Sequence, residues 1–396
     1  MNNSNIDQLN SKNNQNKKTL FENFLESLNN KLAYSTKNTI NIAQSAVEAI
    51  TNNNLQILYE ITENGLPDDL PILRAYVWKI IIGYLPIDLE KWDQTLNQKR
   101  NEYQIYKKLI KEKLEKEIEK KDYKSKETLE QIIKDVYRTN IQLSFFFQPT
   151  NKLKTFNKEE MVKIYEKRKN WDFSRIEDIY KYDDFENETH TDVLNRILFT
   201  YSYINKDVSY HQGMNEILAP IYYCYSYDKL YVEEKEEDIE ADSFWSFYYL
   251  MDRIKSNFDK EQEGLFFKSE LLGKCLEISD NTIFLDLKNK NVANEYFCFR
   301  WFIMLFSQEF EIGDILKLWD LIFCRKNKNY FLFYISLGII NLRRDIILKG
   351  GMAEILQCFQ NLKDISCDDL IFVSREIKDK WKNKLDSIIE KSEKEY

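Results

Sequence analysis

Two short stretches contain residues suited to chemistry at a shared site. The first is Ile132-Ile133-Lys134-Asp135-Val136-Tyr137-Arg138. Its acid and base lie three residues apart, so on a helix their side chains can meet. The second is Val208-Ser209-Tyr210-His211-Gln212-Gly213-Met214-Asn215-Glu216-Ile217. His211 is one of only two histidines in 396 residues, and histidine is the usual first suspect for acid–base chemistry near neutral pH. Gln212 stands where a loop is expected to turn into a helix. Such a junction can bring a side chain and free backbone N–H groups to an anion.

The elements that must carry these residues are helical. Glycine is 9 and proline 5 in the whole chain, far below usual usage of roughly 7% and 5%. So few breakers favour long helices over a turn-rich β fold. Leu129, Ile132, Ile133 and Val136 make the buried stripe of a helix over about 127–139, with Asp135 and Arg138 expected off that stripe. A helix over 192–204, capped by Thr191 or Asp192, buries Val193, Leu194, Ile197, Leu198 and Tyr201. Asn205 and Asp207 end it, 208–213 is a loop, and a new helix begins near Met214, with a kink expected at Pro220.

Further helices are expected over 18–34 (Phe21, Phe24, Leu25, Leu28, Leu32), 65–86, 241–256, 264–278, 293–309, 312–323, 330–348 and 352–361. The 18–34 helix reads as folded back on its own domain, because its polar face is not strongly basic. Residues 1–17 hold seven asparagines and read as a disordered tail. Residues 107–126 carry nine lysines against five acids, and 226–242 eight acids against two lysines. Both read as solvated insertions, with attraction of the lysines to an acidic membrane as a weaker reading. His190 lies in a polar run and is expected in a loop.

Several function classes are disfavoured. The net charge of −8 offers no basic field for nucleic acid. Neither GxGxxG nor GK[ST] occurs, so nucleotide binding by those loops is not expected. Cys224, Cys275, Cys298, Cys324, Cys358 and Cys367 form no CxxC pair. With a polar N-terminus they read as free, mostly buried thiols of an intracellular protein. A zinc site, or a metal-dependent phosphohydrolase, would need ligand clusters that two distant histidines do not supply. The apolar runs 296–306 and 330–342 fall short of the ~18–20 residues of a membrane span.

Neither stretch is specific alone, and Asp135–Arg138 by itself would read as a surface pair worth a few tenths of a kcal/mol. Together, in this order, roughly 70 residues apart and after Gly65-Leu66-Pro67 with Arg74 and Trp78, they are far more specific. The pattern resembles the TBC domain of Rab GTPase-activating proteins. Leu194–Leu198 leading through Tyr201 and Asn205 to Tyr210–Asn215 matches a further family element. Arg300-Trp301, Glu309-Phe310 and Leu318-Trp319-Asp320 match the later ones. The likeness covers about 60–350.

This resemblance implies an all-α TBC domain, V-shaped with two helical subdomains, over 55–350, with insertions near 100–126 and 226–242. An N-terminal helical segment would occupy 18–54, and C-terminal helices over 351–396 would complete or flank the domain. It also implies a role for each matching residue. Arg138 matches an arginine finger and Gln212 a glutamine finger. Asp135 matches the acid that steadies the arginine, and Tyr210 the residue that shapes the glutamine loop. Gly213 and Asn215 support that loop. The partner would be a Rab-family small GTPase in its GTP-bound state, which itself carries GTP and Mg²⁺, so no cofactor is expected in this chain. The setting would be cytoplasmic, with room for peripheral contact with endomembranes.

The chemistry suits the residue types. Phosphoryl transfer needs charge stabilisation and a positioned water more than covalent help. Arginine offers a permanently charged fork that fits phosphate oxygens. Glutamine can accept from a water and donate to an oxygen at once, with no net charge. Gly213 permits close backbone approach. His211 fills the variable position of the motif and reads as exposed or partner-contacting. The alternative is a non-catalytic Rab·GTP effector or scaffold, which would keep the fold without needing both fingers.

Overall fold

The computed structural model describes residues 19–139, 144–150, 155–169, 188–227, 235–259, 261–324 and 330–395. The expected disordered tail over 1–17 lies outside them. Among the described residues the chain is all-α, and the one β feature is an isolated bridge between Pro149 and Thr189.

The helix Pro71–Ile82 is central. Proline sits in its first turn and Gly83 ends it in the left-handed region, φ +96°. A single apolar stripe is expected there, yet the helix is buried from Ile72 to Ile82 on every side, as befits a helix inside a large core. Its charged residues are buried too, and each has a partner far along the chain. Asp320 accepts from the Leu66 N–H (3.1 Å), from Arg74 Nε (3.2 Å) and from Trp78 Nε1 (2.8 Å). Arg74 Nη2 also donates to the Leu66 carbonyl at 2.8 Å. This one carboxylate ties the Gly-Leu-Pro opening and the helix after it to the helix Ile312–Phe323.

A second buried knot corrects the reading of 226–242 as wholly solvated. The helix Glu236–Ile254 carries Glu240 and Asp242 inward, 3% and 0% exposed. Asp242 accepts from Lys79 Nζ (2.6 Å), Arg100 Nη2 (2.8 Å) and the Tyr84 hydroxyl (2.7 Å). Glu240 accepts from Arg196 Nη2 (2.6 Å) and the Tyr103 hydroxyl (2.6 Å). Arg100 and Tyr103 lie on the helix Trp92–Lys120, which continues into the lysine-rich stretch. Part of the acidic stretch thus neutralises cations of three other helices in the core, where an unpaired charge would be costly.

The N-terminal helix, Leu20–Leu32, folds back as expected. Thr19 and Glu22 form a capping box, and Phe24 packs on Tyr76 with ring centroids 4.5 Å apart. At the other end the helix Cys367–Glu395 lies along Tyr330–Leu342, where Tyr334 donates to Asp386 at 2.7 Å and Tyr330 to Glu390 at 2.9 Å. The apolar run 330–342 is a buried helix of the core, and no described helix is long and apolar enough to cross a membrane. The six cysteines are free, five of them buried.

Candidate functional site

The helix Lys126–Arg138 ends at Thr139, whose extended backbone turns the chain while its N–H still bonds Asp135 and Val136 carbonyls. The stripe of Leu129, Ile132, Ile133 and Val136 is buried as expected. Asp135 is buried as well, 6% exposed, which corrects its placement off that stripe. Arg138, by contrast, is exposed.

The helix His190–Ile204 delivers the second stretch. Its cap is Thr189, two residues before the expected Thr191, in a capping box with Asp192. His190 is not in a loop. It opens this helix, is buried, shares a hydrogen bond of 2.7 Å with the Tyr222 hydroxyl, and stacks on Phe145 at 4.2 Å. After Asn205 the chain loops through Ser209, in the left-handed region at φ +53°, to Gly213. Gly213 is the N-cap of the helix Met214–Ser226, with φ +103°, a backbone state that glycine adopts without the strain of a side chain. The helix runs unbroken through Pro220. Gln212 and His211 are exposed on the loop, whereas Gly213, Met214 and Asn215 are buried.

Asn215 joins the two stretches. Its Oδ1 accepts from the Gly213 N–H (3.1 Å) and the Tyr210 hydroxyl (3.1 Å). Its Nδ2 donates to Thr139 Oγ1 (2.6 Å) and to the Asp135 carbonyl (3.3 Å). Glu216 Oε1 lies 3.3 Å from the same nitrogen, so three acceptors share its two hydrogens, and with two donors at the oxygen the orientation of the amide is determined. Asp135 Oδ2, 3.0 Å from the same Tyr210 hydroxyl, shares its one proton with Asn215 Oδ1. The loop bearing Gln212 is therefore fastened to the end of the helix bearing Arg138 by buried bonds that involve neither exposed side chain.

The expected Asp135–Arg138 contact takes a different form. Arg138 makes no hydrogen bond or ion pair among the described residues, and its effect on Asp135 is electrostatic at longer range. Burial raises the Asp135 carboxyl above its ordinary value, with the Tyr210 hydrogen bond and then the Arg138 charge opposing. Tyr210 is pushed well above the ordinary tyrosine value, first by burial and then by the Asp135 charge. It stays a neutral donor at physiological pH.

A turn outside the two stretches completes the surroundings. After the helix Glu295–Ile303 the chain makes a tight turn, with Leu305 and Phe306 both left-handed at φ +47° and +63°. Arg300 closes it by a fork onto Glu309 at 2.6 and 2.8 Å. Met304 in this turn lies where a Gly213 side chain would go: a Cβ there would be 2.7 Å from Met304 Cε. Gln308 of the same turn acts on the Glu216 carboxyl, opposing the rise that burial causes. Nothing in the sequence singles out Glu216, which falls between Asn215 and the apolar Ile217. Among the described residues, no group of three or more His, Cys, Asp or Glu could hold a metal ion.

Comparison with known proteins identifies the family and the fold. The family model of the Rab-GTPase-TBC domain matches residues 148–348. The chain is 28% identical over 382 residues to TBC1 domain family member 13 of Homo sapiens, spanning 82% of this chain and 94% of that protein. It is 25% identical over 314 residues to GTPase-activating protein GYP7 of Yarrowia lipolytica, 76% of this chain and 38% of that protein. Among solved structures, the Ypt/Rab-GAP domain of Gyp1p matches with a TM-score of 0.63 at 22% identity, covering 85% of this chain and 97% of that one. At that identity the likeness speaks for the fold alone.

Proposed function

Because this chain belongs to the Rab-GTPase-TBC domain family, we propose that it is a GTPase-activating protein for a Rab-family small GTPase, acting on the GTP-bound state. The observation that carries the reading is the shared buried scaffold of Arg138 and Gln212. Both side chains are exposed, and their backbones are fastened together through Asp135, Thr139, Tyr210 and Asn215. A pair of polar groups held this way is pre-organised for a ligand that arrives from outside.

In this reading the Arg138 guanidinium enters the partner's nucleotide site and neutralises charge that develops on the phosphate oxygens. Gln212 accepts from the attacking water and directs it at the γ-phosphate. The partner brings GTP and Mg²⁺ as the substrate complex. The chain performs no covalent step; it supplies charge, position and exclusion of bulk water. A side chain worth about 10³–10⁵ in rate costs little to present when, like Arg138, it has no ion pair with another described residue to give up. Asp135 acts indirectly, by fixing Tyr210 and hence the glutamine loop, and by its field at Arg138.

The activating unit is placed at 55–350, with 351–396 flanking it. The bonds from Leu66, Arg74 and Trp78 to Asp320 support a unit that begins well before residue 148. The working place is the cytoplasm, with peripheral contact at endomembranes where its partner resides. Stimulation of GTP hydrolysis across a panel of Rab proteins, with and without Arg138 and Gln212, tests the function.

A further inference from the structure

The turn that bears Met304 follows the helix Glu295–Ile303, and this helix has two unlike faces. Phe297, Cys298, Trp301 and Phe302 are buried in the core. The opposite face carries Tyr296, Phe299 and Ile303, at the spacing of three and four that sets side chains in one row. Tyr296 is 56% exposed, and Phe299, Ile303 and the following Met304 are half-buried. Phe266 widens the row. It sits in the first turn of the helix Glu263–Ser279, is 53% exposed, and meets the Phe299 ring edge-on at 5.0 Å. Single exposed apolar residues need no explanation, but aromatic ones grouped on one face mark a contact surface.

The row is fixed in place and borders the loop of Gln212. Asn257 Nδ2 donates to the Phe302 carbonyl at 3.3 Å, Asn257 Oδ1 accepts from Lys268 Nζ, and Asn294 Nδ2 donates to the Ser269 carbonyl at 3.2 Å. These bonds join the two helices that present Phe266 and Phe299. From Tyr296 to Ile303 the row runs about 10 Å along its helix and ends at Met304, which fills the space a Gly213 side chain would take. A second route closes the other side. Phe258 meets the His211 ring at 6.1 Å, and Gly264, two residues before Phe266, packs tightly on Ser256.

We propose that Phe266, Tyr296, Phe299 and Ile303 form the docking surface for the GTP-loaded small GTPase, covering apolar side chains beside that partner's nucleotide site and setting affinity and choice of partner rather than the rate of the chemical step. The proposal rests on the activator reading.

Two polar side chains do not hold a protein partner by themselves. A specific interface covers about 800 Å² on each side, and a few buried aromatic residues give most of its affinity. A partner whose nucleotide lies at Arg138 and Gln212 must set the rim of its nucleotide site against the surfaces flanking the loop. The row is such a surface, continuous with the loop and already ordered, so little is lost in arranging it on binding. Its character also fixes the chemistry of the side chains it takes. Arg300, the cation of this helix, already forks onto Glu309, so the row selects aliphatic or aromatic groups over acids.

Equilibrium binding and single-turnover hydrolysis with the full chain test this, on a panel of Rab proteins loaded with a non-hydrolysable GTP analogue for binding and with GTP for turnover. The variants are Phe266→Ala and Tyr296→Ala, with Phe372→Ala, 62% exposed on the helix Cys367–Glu395, as control. Phe266→Ala and Tyr296→Ala are each expected to weaken Rab binding by about tenfold or more and to raise the half-saturating activator concentration by the same factor. The rate at saturation should stay within about twofold of wild type, and the unfolding midpoint should not move. The control should match wild type throughout.

Binding and saturation like wild type in both variants would overturn the docking surface. So would a chain that self-associates through this row, its dimer lost in the variants while Rab binding is kept. Wild type that binds a Rab without accelerating hydrolysis would count against the activator reading alone, because binding by the variants still judges the surface. Wild type that binds no Rab of the panel would overturn both.

Discussion

The Tyr210 hydroxyl lies 3.0 Å from Asp135 Oδ2, across 75 positions of sequence. This bond joins the loop that carries Gln212 to the helix that carries Arg138, and both of its ends are buried. Tyr210→Phe keeps the ring and removes the donor. Asp135 is then a buried acceptor without its partner, at a cost of about 1–3 kcal/mol. Denaturant unfolding should show that loss. Stimulated hydrolysis should fall by about tenfold or more, while Rab·GTP binding should change little. Unchanged hydrolysis in a folded Tyr210→Phe protein would separate this bond from function.

Gly213→Ala tests the loop's backbone. At φ +103° an L side chain is strained, by about 1–2 kcal/mol in the left-handed region. Its Cβ would also displace the Met304 side chain, whose flexible end can move. The strain is therefore the larger effect, and the variant should lower turnover more than it lowers the unfolding midpoint. A matched control is Gly313→Ala, where an added Cβ meets nothing within 4 Å; it should leave both quantities unchanged.

The fold's acid sensitivity should centre on the buried pair Glu240 and Asp242, both held well below the usual carboxylate range by buried cations. Burial would raise the Glu240 carboxyl, but the Arg196 guanidinium overrides this, and Lys107 and Tyr103 help, so that it is held at about 2. A depressed folded value stabilises the protein above the unfolded value near 4.5 and ceases to do so as pH falls from there toward 2. Glu240→Gln should remove part of the steep acid loss in that window. At neutral pH it should be destabilising by about 3–5 kcal/mol, because Arg196 stays buried with half its partners gone. Chemical unfolding at neutral pH and across the acid window checks both signs.

Much of this site could be read from residue types and spacing. The buried face of Lys126–Arg138, the loop at 208–213 and the helix from Met214 all follow from apolar periodicity and from glycine at a junction. The tertiary partners could not be read. A run of acids looks the same whether water or buried arginines neutralise it, and the partners of Glu240 and Asp242 lie on helices far away in sequence. The same reason hides His190: its neighbours in sequence are polar, while its contacts are Phe145 and Tyr222. Asp135 reads as a partner for Arg138 because only i,i+3 geometry is visible in a sequence. In the fold it is Tyr210 that donates to it. Met304 and Gln308 reach the loop only through a turn with two left-handed non-glycine residues, which no local propensity announces.

His211, which first suggests acid–base chemistry, is exposed, and its ring meets Phe258 edge-on at 6.1 Å. It takes no part in the hydrogen bonds between Tyr210, Asn215 and Asp135. His211→Ala should therefore keep stimulated hydrolysis within about twofold of wild type at saturating activator. A drop of tenfold or more would move part of the chemistry one residue back along the loop.

The most direct test of the account is single-turnover GTP hydrolysis by a panel of Rab proteins with wild type, Arg138→Ala and Gln212→Ala. The account predicts that wild type accelerates hydrolysis by at least one Rab, that Arg138→Ala loses about 10³-fold or more of that acceleration, and that Gln212→Ala loses most of it while still binding Rab·GTP. Acceleration that survives both substitutions unchanged would contradict it.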